Sequence, residues 1–125
     1  MTNQPLRILY VEDNPLVQEV TCELLAQPTR QILATATAEE ALDVFKREAI
    51  DVVLTDVSLP AMSGLEMARQ MLRLSPTMAI IIATGYKLPL DPKGLGPRVR
   101  IIEKPFDAHA IDRLLDELCR ESGRI

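Results

Sequence analysis

Five side chains able to do chemistry stand at the ends of four short apolar runs. Glu12 and Asp13 follow residues 6–11, Asp56 closes residues 51–56, Thr84 follows residues 78–83, and Lys104 follows residues 99–103. Each has an ordinary reading by itself. A strand-end acid such as Asp56 often starts a turn. Glu12 and Asp13 favour the positive end of a following helix. Lys104 can lay its stem along apolar surface, and β-branched Thr84 suits a strand. Brought together, three carboxylates, one hydroxyl and one amine mean something else. Crowded carboxylates raise the cost of ionising one another. A hard divalent cation removes that cost, and magnesium, which takes a few oxygen ligands and keeps several waters, suits this set. A carboxylate is also a nucleophile toward phosphorus, giving an aspartyl phosphate. Such a transfer needs mainly positioning and neutralisation of the phosphoryl oxygens, which a metal and a lysine supply and a hydroxyl completes.

That convergence requires the four runs to be neighbouring strands with their carboxyl ends together. The pattern along the chain implies parallel strands, whose carboxyl ends share one edge of the sheet. Residues 6–11 read as a strand, and Asn14-Pro15 then opens a helix as cap and first residue. Leu16, Val17, Val20, Leu24 and Leu25 recur at helical spacing, so this helix is expected to reach about Gln27, ahead of Pro28. Residues 31–35 form a weaker strand. Thr37 and Glu40 have the form of a capping box before a helix carrying Ala41, Leu42, Val44 and Phe45. In residues 51–56, Val52, Val53 and Leu54 are apolar in succession, as in a parallel strand buried on both faces. Ser63 and Glu66 again have capping-box spacing, before Leu65, Met67, Met71, Leu72 and Leu74. Residues 78–83 and 99–103 are the last strands, and Asp107 caps a final helix with Ile111, Leu114, Leu115 and Leu118. Strand and helix thus alternate five times, which implies an α/β fold with a parallel sheet covered on both faces. Such sheets gather ligands at their carboxyl ends. The fourth helix is eroded: residues 86–97 hold Pro89, Pro92, Pro97, Gly94 and Gly96, which forbid a regular helix.

Composition narrows the function. A chain of 125 residues, 47% hydrophobic and 26% charged, is one ordered domain over residues 1–125. Aromatics are only 3%, without Trp, so a stacking platform for nucleic acid is not expected. The net charge of −4 also argues against a nucleic-acid partner. Residues 1–62 carry 4 basic and 10 acidic side chains and residues 63–125 carry 10 and 8, so a cation site belongs in the first half. Cys22 and Cys119 fit no zinc motif and read as two small buried hydrophobes. No apolar run is long enough to span a bilayer, and residues 1–7 do not form a signal peptide. A cytoplasmic location follows as the expectation.

Four blocks in register resemble the response-regulator receiver domains of two-component signalling, over nearly the whole chain. They are Val11-Glu12-Asp13-Asn14, Leu54-Thr55-Asp56-Val57-Ser58-Leu59-Pro60-Ala61-Met62-Ser63-Gly64, Ala83-Thr84-Gly85-Tyr86 and Lys104-Pro105-Phe106. The resemblance implies a flavodoxin-like three-layer sandwich with strand order 2-1-3-4-5. It implies that Asp56 is the phosphoacceptor, with Mg2+ held by Asp13, by Asp56, by Glu12 through water, and by the backbone carbonyl of Ser58. Lys104 would pair with the acids at rest and with the phosphoryl group afterwards, and Thr84 would turn to a phosphoryl oxygen. Pro105 would set the bend after Lys104, often by a cis peptide bond. A histidine kinase or histidine phosphotransfer protein would be the donor, with no direct nucleic-acid or membrane contact. Two departures stand out. Ile101 replaces the aromatic expected three residues before the lysine, and Thr84 to Lys104 spans 20 positions, about two fewer than usual for the family. In its altered readout surface the chain resembles receiver domains of hybrid sensor kinases.

The expectation is therefore a phosphoacceptor switch and not an enzyme. An aspartyl phosphohydrolase wants a second acid two residues after the nucleophile, where this chain has Ser58. A flavin carrier wants a phosphate-cradling loop after the first strand and aromatics around the ring. A phosphorylation-independent pseudo-receiver is the alternative that Ile101 and the eroded helix keep open. The remaining notable residues have structural readings. His109 faces solvent early in the last helix, Met67, Met71 and Met78 fill the core, and Tyr86 either packs or lines the mouth of the site. Lys93, Arg98 and Arg100 form a solvated basic strip, or a patch for an acidic partner.

Overall fold

The computed structural model describes residues 4–88 and 91–123, so Met1 to Asn3 and Pro89 lie outside the described residues. Strands β1 (Leu6–Val11), β2 (Arg30–Thr35), β3 (Val52–Asp56), β4 (Ala79–Thr84) and β5 (Val99–Glu103) form one parallel sheet in the order β2-β1-β3-β4-β5. Helices α1 (Pro15–Leu25), α2 (Ala38–Arg47), α3 (Gly64–Leu74) and α4 (Ala108–Glu121) cover its two faces. Between β4 and β5 the described residues carry a single 3-10 turn, Pro92–Gly94, so the helix expected to be eroded is reduced to one turn.

Strand alternation sorts the core. Leu9, Val11, Val53, Ile80, Ile82 and Val99 face α2 and α3, where Ala41, Leu42, Met67, Met71 and Leu72 meet them. Ile8, Tyr10, Leu54, Ile81 and Ile102 face α1 and α4, against Leu25, Ile111, Leu115 and Leu118. Ile80, Ile81 and Ile82 are fully buried, each contributing about 1.5–3 kcal/mol by burial. Met67, Met71 and Met78 are core, as expected; Cys22 and Cys119 are only half-buried, at the edge of the α1/α4 cluster.

The local signals act through named bonds. Asn14 Oδ1 accepts from the amides of Leu16 (3.0 Å) and Val17 (3.2 Å) and starts α1. The helix stops at Leu25, two residues short of expectation, because Pro28 disfavours helical backbone before it. Arg30 Nη1 donates to the freed Leu25 carbonyl at 3.0 Å. Both capping boxes are half-formed. Thr37 and Ser63 accept from the amides of Glu40 and Glu66, but the Glu40 carboxylate reaches Ala36 N and Glu66 accepts from Gln70. Arg98 and Arg100 are not a solvated strip. Arg98 donates to the Leu118 carbonyl at 2.7 Å and lies 3.6 Å from Glu121, and Arg100 donates to Glu117 at 3.0 Å and pairs with Glu121, so acids of α4 are their partners. Lys93 and His109 are exposed.

Candidate functional site

Alternation brings the chemistry to one place. Tyr10, Leu54 and Ile102 point toward the α1/α4 side, and two residues on from each stand Glu12, Asp56 and Lys104. Lys104 Nζ donates to Asp56 Oδ2 at 2.8 Å and lies 3.5 Å from Glu12 Oε1. Carboxylate oxygens of Glu12, Asp13 and Asp56 lie within 4.8 Å of one another. The peptide before Pro105 is cis, fixing the turn that follows Lys104. Ser58 N donates to Asp56 Oδ1 at 3.3 Å, placing the Ser58 loop beside this carboxylate.

Burial differs across the cluster. Glu12 is 3% exposed, the Asp56 side chain 13%, and Asp13 faces solvent. Burial is the main force holding the Glu12 carboxyl above its usual range; the charges of Asp56 and Asp13 add to it, while the Asn14 amide and Lys104 oppose it. Burial works against the Lys104 ammonium, but the hydrogen bond and charge of Asp56, with Glu12, outweigh it, and Lys104 stays charged above its ordinary value. Tyr10, just below, is pushed up mainly by burial.

These residues fit a hard divalent cation. Three carboxylates face one ammonium, and the buried Glu12 Oε1 has no hydrogen-bond donor. Two oxygens on one Mg2+ are separated by at most about 4.2 Å, twice its ligand distance. Small side-chain movements would therefore bring the three oxygens onto one ion. Thr84 is not drawn into the cluster. It shares the alternation of Ile80 and Ile82, toward α2 and α3; its hydroxyl donates to the Tyr86 carbonyl at 2.8 Å and accepts from Tyr86 N at 3.2 Å. Tyr86 itself is 55% exposed.

Residues 8–116 match the family described as the response regulator receiver domain. The chain belongs to that family. Among curated relatives, the receiver is 33% identical over 116 residues to the sensor protein TorS of Escherichia coli, covering 88% of this chain and 12% of that protein. It is 30% identical over 111 residues to a protein-glutamate methylesterase/protein-glutamine glutaminase of Chromohalobacter salexigens, covering 84% of this chain and 31% of the other. The chain thus spans well under half the length of these relatives. A CheY-like receiver structure from Methanospirillum hungatei superposes with a TM-score of 0.84 at 25% identity, covering 98% of this chain and all of the other. Receiver domains are signalling switches that accept a phosphoryl group, and histidine kinases and phosphotransfer proteins are their partners. Among the described residues, no helix is long and apolar enough to cross a membrane.

Two features of the receiver's site escape a reading of spacing. The first is Gln18, whose amide reaches back to β1 and β2. The second is a groove of about 420 Å³ running from Glu12, Asp56 and Lys104 along Val17, Val20 and Leu24 of α1 to Phe106. Leu16, Val17 and Val20, which at helical spacing look like a core stripe, are 73%, 38% and 59% exposed.

Proposed function

We propose that residues 1–125 form one receiver domain in which Asp56 accepts a phosphoryl group from a phosphohistidine donor, with Mg2+ held by Glu12, Asp13, Asp56 and the Ser58 carbonyl. The observation that carries this reading is the Lys104–Asp56 contact of 2.8 Å inside the three-carboxylate cluster. Lys104 holds Asp56 oriented, with its charge beside the incoming group. An Asp56 oxygen attacks phosphorus, the phosphorus–nitrogen bond breaks, and the imidazole leaves with the electron pair and takes up a proton. Bound Mg2+ would neutralise charge developing on the phosphoryl oxygens. Thr84 must release the Tyr86 carbonyl to donate to a phosphoryl oxygen, so phosphorylation would free the backbone at the start of residues 86–97. That segment would report the state in place of a fourth helix and an aromatic at position 101, as a population shift between two conformers. The exchange belongs in the cytoplasm, where the donor draws on ATP, and the domain acts as a switch, not an enzyme.

Incubating the chain with acetyl phosphate and Mg2+ should raise its intact mass by about 80 Da, the increment of one phosphoryl group, and EDTA should prevent the gain. No gain in mass with Mg2+ present would favour the pseudo-receiver alternative, for which Ile101 and the Thr84–Tyr86 contact speak.

The apolar face of α1 supports a protein donor. Leu16, Val17 and Val20 adjoin the groove that ends at Asp56, so a helix carrying the phosphohistidine can cover them while delivering its ring. Val20→Asp should slow labelling by a phosphorylated histidine phosphotransfer protein that labels the wild type by about tenfold, equivalent to ~1.4 kcal/mol. Labelling by acetyl phosphate should stay within about twofold, since a small donor needs no docking face. Equal slowing with both donors would count against the face.

A further inference from the structure

Asp13 is the exposed member of the acidic cluster, and among the described contacts its carboxylate has no hydrogen bond. Its position is therefore set by its backbone. The Glu12–Asp13 peptide lies just past the β1–β2 ladder, whose last bond runs from Glu12 N to the Thr35 carbonyl at 3.0 Å. Beyond it, the Glu12 carbonyl has no strand partner. Gln18, half-buried on the first turns of α1, supplies one: its Nε2 donates to the Glu12 carbonyl at 3.1 Å and to the Thr35 carbonyl at 3.0 Å. An amide nitrogen has two hydrogens, and both are used. Asn14 anchors the same loop from the other side, donating its amide to Glu12 Oε2 at 3.1 Å while capping α1.

We propose that Gln18 is a positioning residue for the acidic site, setting the affinity for Mg2+ by fixing the peptide that orients Asp13. The inference rests on the phosphoacceptor reading and deepens it. Groups that orient metal ligands from behind commonly change affinity by about 10–100-fold when removed. Gln18 touches neither the ion nor the phosphoryl group; it acts on Asp13 through the backbone.

The test is a Mg2+ titration of the metal-free chain, followed by backbone amide chemical shifts, alongside thermal unfolding. Gln18→Met keeps length and helix propensity but removes both donors, and it should weaken Mg2+ binding about tenfold. Gln18→Arg, whose guanidinium can donate to both carbonyls, should return the affinity to within about twofold. Gln18→Ala serves as a second donor-free variant should Gln18→Met unfold. A lowered unfolding midpoint with unchanged Mg2+ affinity in a donor-free variant would mark a merely structural contact and overturn the proposal. Equal weakening in Gln18→Arg and Gln18→Met would overturn it too. A wild type that binds no Mg2+ would instead remove the metal reading itself, and this proposal with it.

Discussion

Replacing Asp56 by Asn should abolish the 80 Da gain from acetyl phosphate and Mg2+, reducing labelling to background while leaving the fold intact. The amide keeps the shape of the carboxylate, and its single oxygen can still accept from one of the two donors that reach Asp56, Ser58 N on Oδ1 at 3.3 Å and Lys104 Nζ on Oδ2 at 2.8 Å. What it loses is the negative oxygen that attacks phosphorus, and an amide oxygen is a poor nucleophile. The rate should therefore fall by about 100-fold or more, a barrier increase of ~2.7 kcal/mol or greater. Intact-mass spectrometry follows the label, and thermal unfolding checks that the folded population is retained. The position also discriminates among the three acids. Glu12 is 3% exposed against 13% for the Asp56 side chain, so a donor reaches it less readily. Asp13 is exposed and has no contact with Lys104 within ion-pair distance. A label that persisted in Asp56→Asn and mapped by peptide mass to Asp13 or Glu12 would move the acceptor.

Much of this site can be read from residue order, and the reason is geometric. A parallel sheet puts all its carboxyl ends at one edge, and the order β2-β1-β3-β4-β5, which the run pattern alone does not establish, sets the ends of β1 and β3 side by side with that of β5 close by. The period of two does the rest: Tyr10 to Glu12, Leu54 to Asp56 and Ile102 to Lys104 stay on one side. Thr84 shows the limit of that reasoning. It stands at the right strand end, yet its alternation puts it on the other side, and a local bond to the Tyr86 backbone claims its hydroxyl. Arg98 and Arg100 show another limit, because their acids come from α4, up to 23 positions away, through packing that no local pattern encodes. Leu16, Val17 and Val20 satisfy helical spacing whether buried or exposed, and only the placement of α1 decides which. Gln18 has no signal at all in its residue type, since its importance lies in two carbonyls left over by strand ends.

Adding one methyl group at Gly64 should cost about 3 kcal/mol of stability and misplace the acceptor in the molecules that still fold. Gly64 begins α3, and its amide donates to the Val57 carbonyl at 2.9 Å, drawing the helix start against the end of β3. A Cβ there would lie 2.0 Å from the Asp56 carbonyl oxygen and 3.0 Å from its carbon. Those are backbone atoms, so no side-chain rotation relieves the clash, and overpacking of this kind costs about 1–3 kcal/mol or more. The carbonyl that must retreat also accepts the Thr55 hydroxyl at 2.9 Å, and Asp56 is held to Lys104 on its other side. Movement of β3 away from α3 therefore shifts the acceptor relative to Glu12 and Asp13. In thermal unfolding, Gly64→Ala should show a midpoint lower by roughly 10 °C for a domain of this size, and its folded fraction should label more slowly than wild type. Gly94→Ala is the control, since a Cβ at that position meets nothing within 4 Å and should change stability by no more than about 0.5 kcal/mol. If Gly64→Ala instead matched Gly94→Ala in both stability and labelling, the close approach of α3 to the acceptor strand would not be what holds Asp56 in place, and the positioning of the acid would have to come from Lys104 and the Ser58 amide alone.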